Sequence, residues 1–348
     1  MWKGKRLNSQ MLIEAREAPE VVERLLQADL GTLASLAESW RAAPPSAVVT
    51  IARGSSDHAS SYFAYLVMTR LGRVVSSLPM SVITLHEARL HAQGLMAVGF
   101  SQSGMSPDLI APMQYFRHAG ARTVSIVNNA DSPLAHAAEW RLPLHAGPET
   151  SVAATKSFIG QLVGGARVVA EIEGDKAGGL KAALTTLPDA LRRGLDQDWS
   201  VAVDVLKDVN RLFVIGRGTS QGIASEAALK LKETCGIQAE AFSSAEVKHG
   251  PMAVVEDGFP MIVFAPRGPA QAGLLALADD MRSRGARVLL AAPEGTPGAE
   301  LPLAVADHED LDPIVAIQSF YQMVESLSRA RGRNPDKPMH LSKVTLTQ

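Results

Sequence analysis

Cysteine occurs once in this chain, at Cys235, so an internal disulfide and a multi-cysteine metal centre are both excluded. Net charge is equally scarce. The chain has 34 lysines and arginines against 36 aspartates and glutamates, a formal charge of −2, which offers no basic surface to nucleic acid or an anionic membrane. No stretch is long and apolar enough to span a bilayer. The N-terminus, Met1-Trp2-Lys3-Gly4-Lys5-Arg6, leads into a charged amphipathic segment and not into the apolar core of a signal peptide. Together these absences lead us to expect a cytoplasmic protein. What is present is 348 residues, 46% hydrophobic and 20% charged, enough for about two domains with packed cores.

One stretch organises the chain: Ala97-Val98-Gly99-Phe100-Ser101-Gln102-Ser103-Gly104-Met105-Ser106-Pro107-Asp108. A short apolar run that reads as a buried strand breaks into Ser-Gln-Ser-Gly and restarts at Ser106-Pro107-Asp108, a helix start with proline at the first position. Three hydroxyls, a permissive glycine and the N–H groups of a helix N-terminus converge there. That arrangement can hold a phosphate without a metal or a lysine. An ordinary serine- and glycine-rich turn is the alternative, and the rest of the chain decides between them.

In chain order, Glu14 to Glu38 has helical spacing with Gly31 as the expected break, a helical lead-in over residues 1–35. Ala47 to Ala52 is a β-branched run ending in Arg53-Gly54-Ser55-Ser56, followed by a helical pattern from His58 to Leu71. Further strands are expected at Ala97–Phe100, Thr123–Val127 and Arg141–Leu144, with helices between them. Such alternation predicts an α/β fold with a parallel sheet covered by helices on both faces.

The second half repeats the first. Ile51-Ala52-Arg53-Gly54-Ser55-Ser56 aligns with Ile215-Gly216-Arg217-Gly218-Thr219-Ser220, and Gly72 with Gly236. Val98-Gly99-Phe100 followed by Gly104 aligns with Ile262-Val263-Phe264 followed by Gly268, Gly120-Ala121-Arg122 with Gly285-Ala286-Arg287, and Leu142-Pro143-Leu144 with Leu301-Pro302-Leu303. Ser157-Phe158 answers Ser319-Phe320. Two tandem Rossmann-like domains are therefore expected, over 36–180 and 190–332, with a seam near Gly174 to Gly194 and a tail over 333–348. The halves also diverge. Where the first has Ser101-Gln102-Ser103, the second has Ala265-Pro266-Arg267, so only the first keeps the hydroxyl cradle.

The second half carries ionisable groups in exchange. Glu226, Lys230 and Glu233 stand at i, i+4 and i+7 on one helical face, either a solvated ion-pair stripe or a reactive cluster. Glu233 lies about 20 Å along that helix from the Gly218-Thr219-Ser220 turn, at ~1.5 Å per residue, and so cannot serve a ligand held there. His249, between Lys248 and Gly250-Pro251, is expected in a loop, where a charge change near neutral pH suits proton transfer. Pro335 and Pro338 make the C-terminal segment an extended tail, and Leu341, Val344 and Leu346 suggest that it docks.

These motifs together resemble the tandem sugar isomerase (SIS) domain family, in particular the isomerase half of glutamine-dependent glucosamine-6-phosphate synthases and the SIS-type glucosamine-6-phosphate deaminases. The resemblance runs through Arg53 to Ser56, Ser101 to Gly104, Glu149 to Lys156, Ala227 to Glu233, Glu246 to Pro251 and the tail with Asp336, Pro338, Leu341 and Lys343. It implies that Ser101, Gln102, Ser103 and Ser106 hold a sugar phosphate, with Ser55, Ser56 and the Val152-Ala153 backbone lining the rest of the pocket. It implies Glu233 as the general base between C1 and C2, His249 in ring opening, and Lys230 and Lys343 on the open-chain sugar. It also implies a homodimer whose histidine loop enters the neighbouring site, and no cofactor or metal. Met105, Ala154 and Met339-His340 depart from the residues common in the family. Because the sequence opens directly on the sugar part, we expect it to lack the glutaminase domain of the synthases. The expectation is therefore an aminosugar-phosphate deaminase or isomerase that uses free ammonia in reverse. Other aminosugar or fructosamine phosphates as substrates, or a non-catalytic phosphosugar sensor, are the alternatives.

Overall fold

The computed structural model describes residues 8–175 and 179–343; Val344 and Leu346 lie outside them. Among the described residues ten strands form two separate sheets: β1 Ala47–Ile51, β2 Val75–Ser77, β3 Leu95–Ser101, β4 Arg122–Val127 and β5 Trp140–Pro143, then β6 Arg211–Gly216, β7 Gln238–Ser243, β8 Pro260–Phe264, β9 Arg287–Pro293 and β10 Leu301–Leu303. The first sheet is ordered β2-β1-β3-β4-β5 and the second β10-β9-β8-β6-β7, and every pairing is parallel. The two orders are the same when each half is read from its own first strand. The internal repeat is thus a repeat of topology. In each sheet the order reverses between the first and third strands of the half, and the turns at their carboxyl ends open there as a crevice.

The central strands are buried and largely apolar, with Thr50, Thr123 and Ser125 as buried polar exceptions, because both faces are covered. Val98, Phe100, Val124 and Ile126 of the first sheet share one continuous core with Val214, Ile262 and Leu289 of the second. The helix Lys156–Glu173 is buried almost throughout, wedged against Ser55–Leu71 and the N-terminal helices. No helix among the described residues is long and apolar enough to cross a membrane.

The N-terminal segment forms three helices, Gln10–Arg16, Ala18–Gln27 and Leu30–Ala42. Its break falls at Ala28-Asp29 and not at the expected Gly31, which lies within the third helix. Asp29 adopts a left-handed conformation, φ 52°, and its carboxylate is held 2.6 Å from His145 Nε2, so a tertiary contact sets the corner. The expected helix from His58 begins three residues sooner, in the turn itself, at Ser55. Gly72 and Gly236 end equivalent helices in the left-handed conformation, at φ 62° and 63°, as C-capping glycine does.

The halves meet where Gln221–Lys230 crosses Ser55–Leu71. Gly222 sits at the crossing, and a Cβ there would come within 2.6 Å of the His58 carbonyl oxygen. Gly222→Ala should therefore destabilise by about 1–3 kcal/mol through overpacking. Gly273→Ala, on a helix face with open space around it, should be neutral or slightly stabilising through helix propensity. Urea denaturation of the two variants checks the contrast, and equal midpoints would contradict it.

Candidate active site

Two turns of the first half and three later segments converge on one cavity of about 340 Å³. The first turn follows β3. Ser101 Oγ accepts from the Gly104 N–H at 3.0 Å and Ser103 Oγ from the Met105 N–H at 3.3 Å, which curls the serines into a cup. Gly104 has φ 66°, and a Cβ on it would overlap the Ser132 side chain, so glycine is required. Ser106 then occupies the N-cap position of Pro107–His118 in extended conformation. The second turn follows β1, where Gly54 at φ 54° opens directly into Ser55 and Ser56 of the next helix.

A third wall is the loop before Lys156–Glu173, fixed by two buried carboxylates. Glu14 accepts from the N–H groups of Thr150 and Ser151 and from Ser151 Oγ. Glu149 accepts from the N–H groups of Thr155 and Ser157 and from Ser157 Oγ. Val152 and Ala154 of this loop face the cavity. The tail closes over it: Asp336 accepts from the N–H groups of Gln10 and Met11 at 2.9 and 2.8 Å, and Lys343 Nζ lies 3.1 Å from Glu149.

The fourth wall comes from the second half. After Lys230 the backbone widens from α- to π-helix over Leu231–Cys235, a distortion frequent at functional sites. Lys230 is fully buried, and its Nζ donates to Ser55 Oγ at 3.2 Å and to Glu233 at 2.5 Å, with Glu226 at 3.3 Å. Glu226 is also fully buried and lies 3.0 Å from His58 Nδ1. Of the three, only Glu233 keeps part of its side chain exposed, 19%, and it lines the cavity. A solvated ion-pair stripe is thereby excluded for these three residues.

Burial pushes the Lys230 ammonium towards neutrality, but Glu226 and then Glu233 outweigh it and hold the pKa above its usual range. Burial likewise pushes Glu226 up, but Lys230 and His58 carry it below its usual 4.5. Glu14 is lowered in the same sense, its burial outweighed by hydrogen bonds from Ser151, Thr150 and Gln10.

Ser55, Ser56, Ser101, Gln102, Ser103, Ser106, Val152, Lys230, Glu233 and Lys343 all line the cavity. Ala153 does not, being fully buried behind its neighbours. Nor does His249, which is exposed at the end of a short 3₁₀ turn, Glu246–His249. Glu233 faces the cradle of the first half of its own chain, across the junction from its own Gly218-Thr219-Ser220 turn. Leu109 and Ser342 also line the cavity, and neither carries a sequence pattern that marks it. Among the described residues no cluster of histidine, cysteine and carboxylate could hold a metal.

Lys230→Met should cost about 3–5 kcal/mol in urea denaturation, because it leaves buried Glu226 without its counter-ion; a loss below 1 kcal/mol would contradict the buried-pair description. The lowered carboxylates give the pH dependence its sign. Their contribution to stability is complete above their ordinary value of 4.5 and is lost as pH falls through the folded values below it. Glu14→Gln and Glu226→Gln should each flatten the acid limb of the denaturation midpoint. An unchanged acid limb in both would refute the assignment.

Comparison with known proteins agrees with this architecture. The SIS domain pattern matches residues 43–166 and 205–295. The glutamine–fructose-6-phosphate aminotransferase (isomerizing) of Methanothermobacter thermautotrophicus is 32% identical over 97% of this chain and 57% of its own length; that of Aeropyrum pernix is 31% identical over 97% and 57%. The chain thus spans little more than half the length of these curated relatives. A crystal structure from Silicibacter pomeroyi, provisionally named a phosphosugar isomerase, is 41% identical, with a TM-score of 0.89 over 94% of this chain and all of the other. A glucosamine-6-phosphate deaminase from Thermotoga maritima, 20% identical, shares the fold, with a TM-score of 0.77 over 97% of this chain and 100% of its own. With two matched segments, the same strand order in both halves and homology to the isomerase half of the aminotransferases, the chain belongs to the SIS domain family.

Proposed function

We propose that the cavity converts glucosamine 6-phosphate and water to fructose 6-phosphate and ammonia, and catalyses the reverse when free ammonia is supplied. The observation that carries the reading is Glu233: a partly exposed glutamate, hydrogen-bonded to a buried ammonium, lines a single cavity with the serine cup. In this reading the Ser101–Ser106 turn binds the phosphate, with Ser55, Ser56 and the Val152 backbone holding the chain of the sugar. In the open-chain amino aldehyde, Glu233 takes the proton from C2 while O1 gains a proton, giving an enolamine. Glu233 returns the proton to C1 as the nitrogen loses one, leaving a ketimine at C2. Water then adds to C2, ammonia leaves, and the ketone of fructose 6-phosphate remains. Lys230 and Lys343 supply positive charge near O1 as it accepts electron density. A positioned acid–base group of this kind contributes ~10²- to 10⁴-fold to the rate.

His249 is exposed and outside the cavity of its own chain. In the proposed assembly it assists ring opening in the site of a second copy, so the active unit is a homodimer.

Ammonia release and fructose 6-phosphate formation from glucosamine 6-phosphate, measured in a coupled assay without glutamine, test the reaction. Both products are expected. Retained phosphosugar binding with neither product would refute it. Glu233→Gln should abolish turnover and keep binding, whereas Ser101→Ala with Ser103→Ala should raise KM, each serine hydrogen bond to a charged phosphate being worth about 1.5–3 kcal/mol. Mixed dimers of Glu233→Gln and His249→Asn subunits should recover activity, and verified mixed dimers that stay inactive would rule out shared sites.

A further inference from the structure

The second half has a cavity of its own, about 420 Å³, at the carboxyl ends of β6 and β8. It occupies in the second sheet the place that the candidate active site occupies in the first, the crevice where strand order reverses, which is where open parallel sheets bind ligands. Two helices run between the cavities in opposite senses. Ser55–Leu71 starts at the first and brings Tyr65 and Arg70 to the second, while Gln221–Lys230 starts from the Gly218–Ser220 turn at the second and delivers Lys230 to the first.

The chemistry of the second cavity differs from that of the cradle. Arg70 is committed to Asp310 at 2.7 Å and Glu173 at 2.9 Å, and Arg267 to both oxygens of Asp312 at 2.7 and 2.8 Å. Arg217 is exposed at the cavity, and among the described residues no carboxylate pairs with it. It stands beside the Thr219 hydroxyl and the N–H groups of the turn, so one cation and several donors face the same space. Glu309 also lines the cavity and is exposed, its carboxylate about 3.7 Å from where a Cβ on Gly268 would lie. Asp310, which also lines the cavity, is paired with Arg70. A cation with donors for an anion, and a carboxylate that accepts from hydroxyls, suit a phosphorylated polyol.

We propose that this cavity is a second binding site for a sugar phosphate, with Arg217 and the Gly218–Ser220 turn on the phosphate and Glu309 on the sugar hydroxyls. The site is independent of the reaction proposed for the first cavity and stands whether or not that reaction occurs.

Isothermal titration of the full chain with fructose 6-phosphate, and separately with inorganic phosphate, tests it. Two sites per chain are expected for the sugar phosphate. Ser101→Ala with Ser103→Ala should weaken one, and Arg217→Ala should weaken the other by about tenfold or more. Glu309→Gln should weaken fructose 6-phosphate at the second site and leave inorganic phosphate unchanged. Arg217 and Glu309 are both exposed, so these variants are expected to fold, and circular dichroism confirms it. A single site per chain that is insensitive to Arg217→Ala, or no response of either probe to that variant, would overturn the proposal.

Discussion

A buried ammonium between two carboxylates is the constraint around which the rest of this molecule is arranged. Lys230 has no access to water, so its charge is tolerable only while Glu226, Glu233 and Ser55 surround it. Ser55 belongs to the first half of the chain and the two carboxylates to the second, so the full set of partners is assembled only when the halves are docked. Gly222 lets the two helices approach closely enough for that. His58 and Tyr321 complete the enclosure by reaching Glu226 from the neighbouring helices. The same contacts that close the interface thus orient Glu233 towards the cavity.

Duplication supplied two similar crevices, and divergence gave them different chemistry. The first kept serines in its turn and received its charged groups from the second half. The second lost those hydroxyls to Ala265-Pro266-Arg267, and Arg267, with Arg70 from the first half, is held in an ion pair, to Asp312 and Asp310 respectively. Glu14 and Glu149 show how the remaining wall is made. A loop with no regular hydrogen bonding takes one shape because two buried carboxylates collect its N–H groups, and burial without those partners would be costly. The tail is attached by similar means, through Asp336 at the first turn of Gln10–Arg16.

Much of this was legible in the sequence because it depends on local pattern. Alternating apolar strands and helices gave the parallel sheets, and the matched glycines at Gly72 and Gly236 marked equivalent helix ends. The serine turn was visible because its hydroxyls and helix start are adjacent in sequence. What escaped was decided at long range. Gly31 looked like a break, but Asp29 bonded to His145 sets the corner and leaves Gly31 inside a helix. The spacing of Glu226, Lys230 and Glu233 placed them on one face and could not say whether that face met water or another helix. The π turn at Leu231–Cys235 has no sequence pattern of its own, and β2, three residues long, was too short to register.

The most direct measurement on the central claim is the fate of the hydrogen on C2. Glucosamine 6-phosphate deuterated at C2 and incubated with the protein can be followed by proton NMR of C1 and C2. Transfer of deuterium to C1, or its exchange with solvent, is expected with the wild-type chain and should disappear in Glu233→Gln. Retention of the C2 label by a folded wild-type protein that binds the sugar phosphate would contradict the assignment of Glu233 as the base.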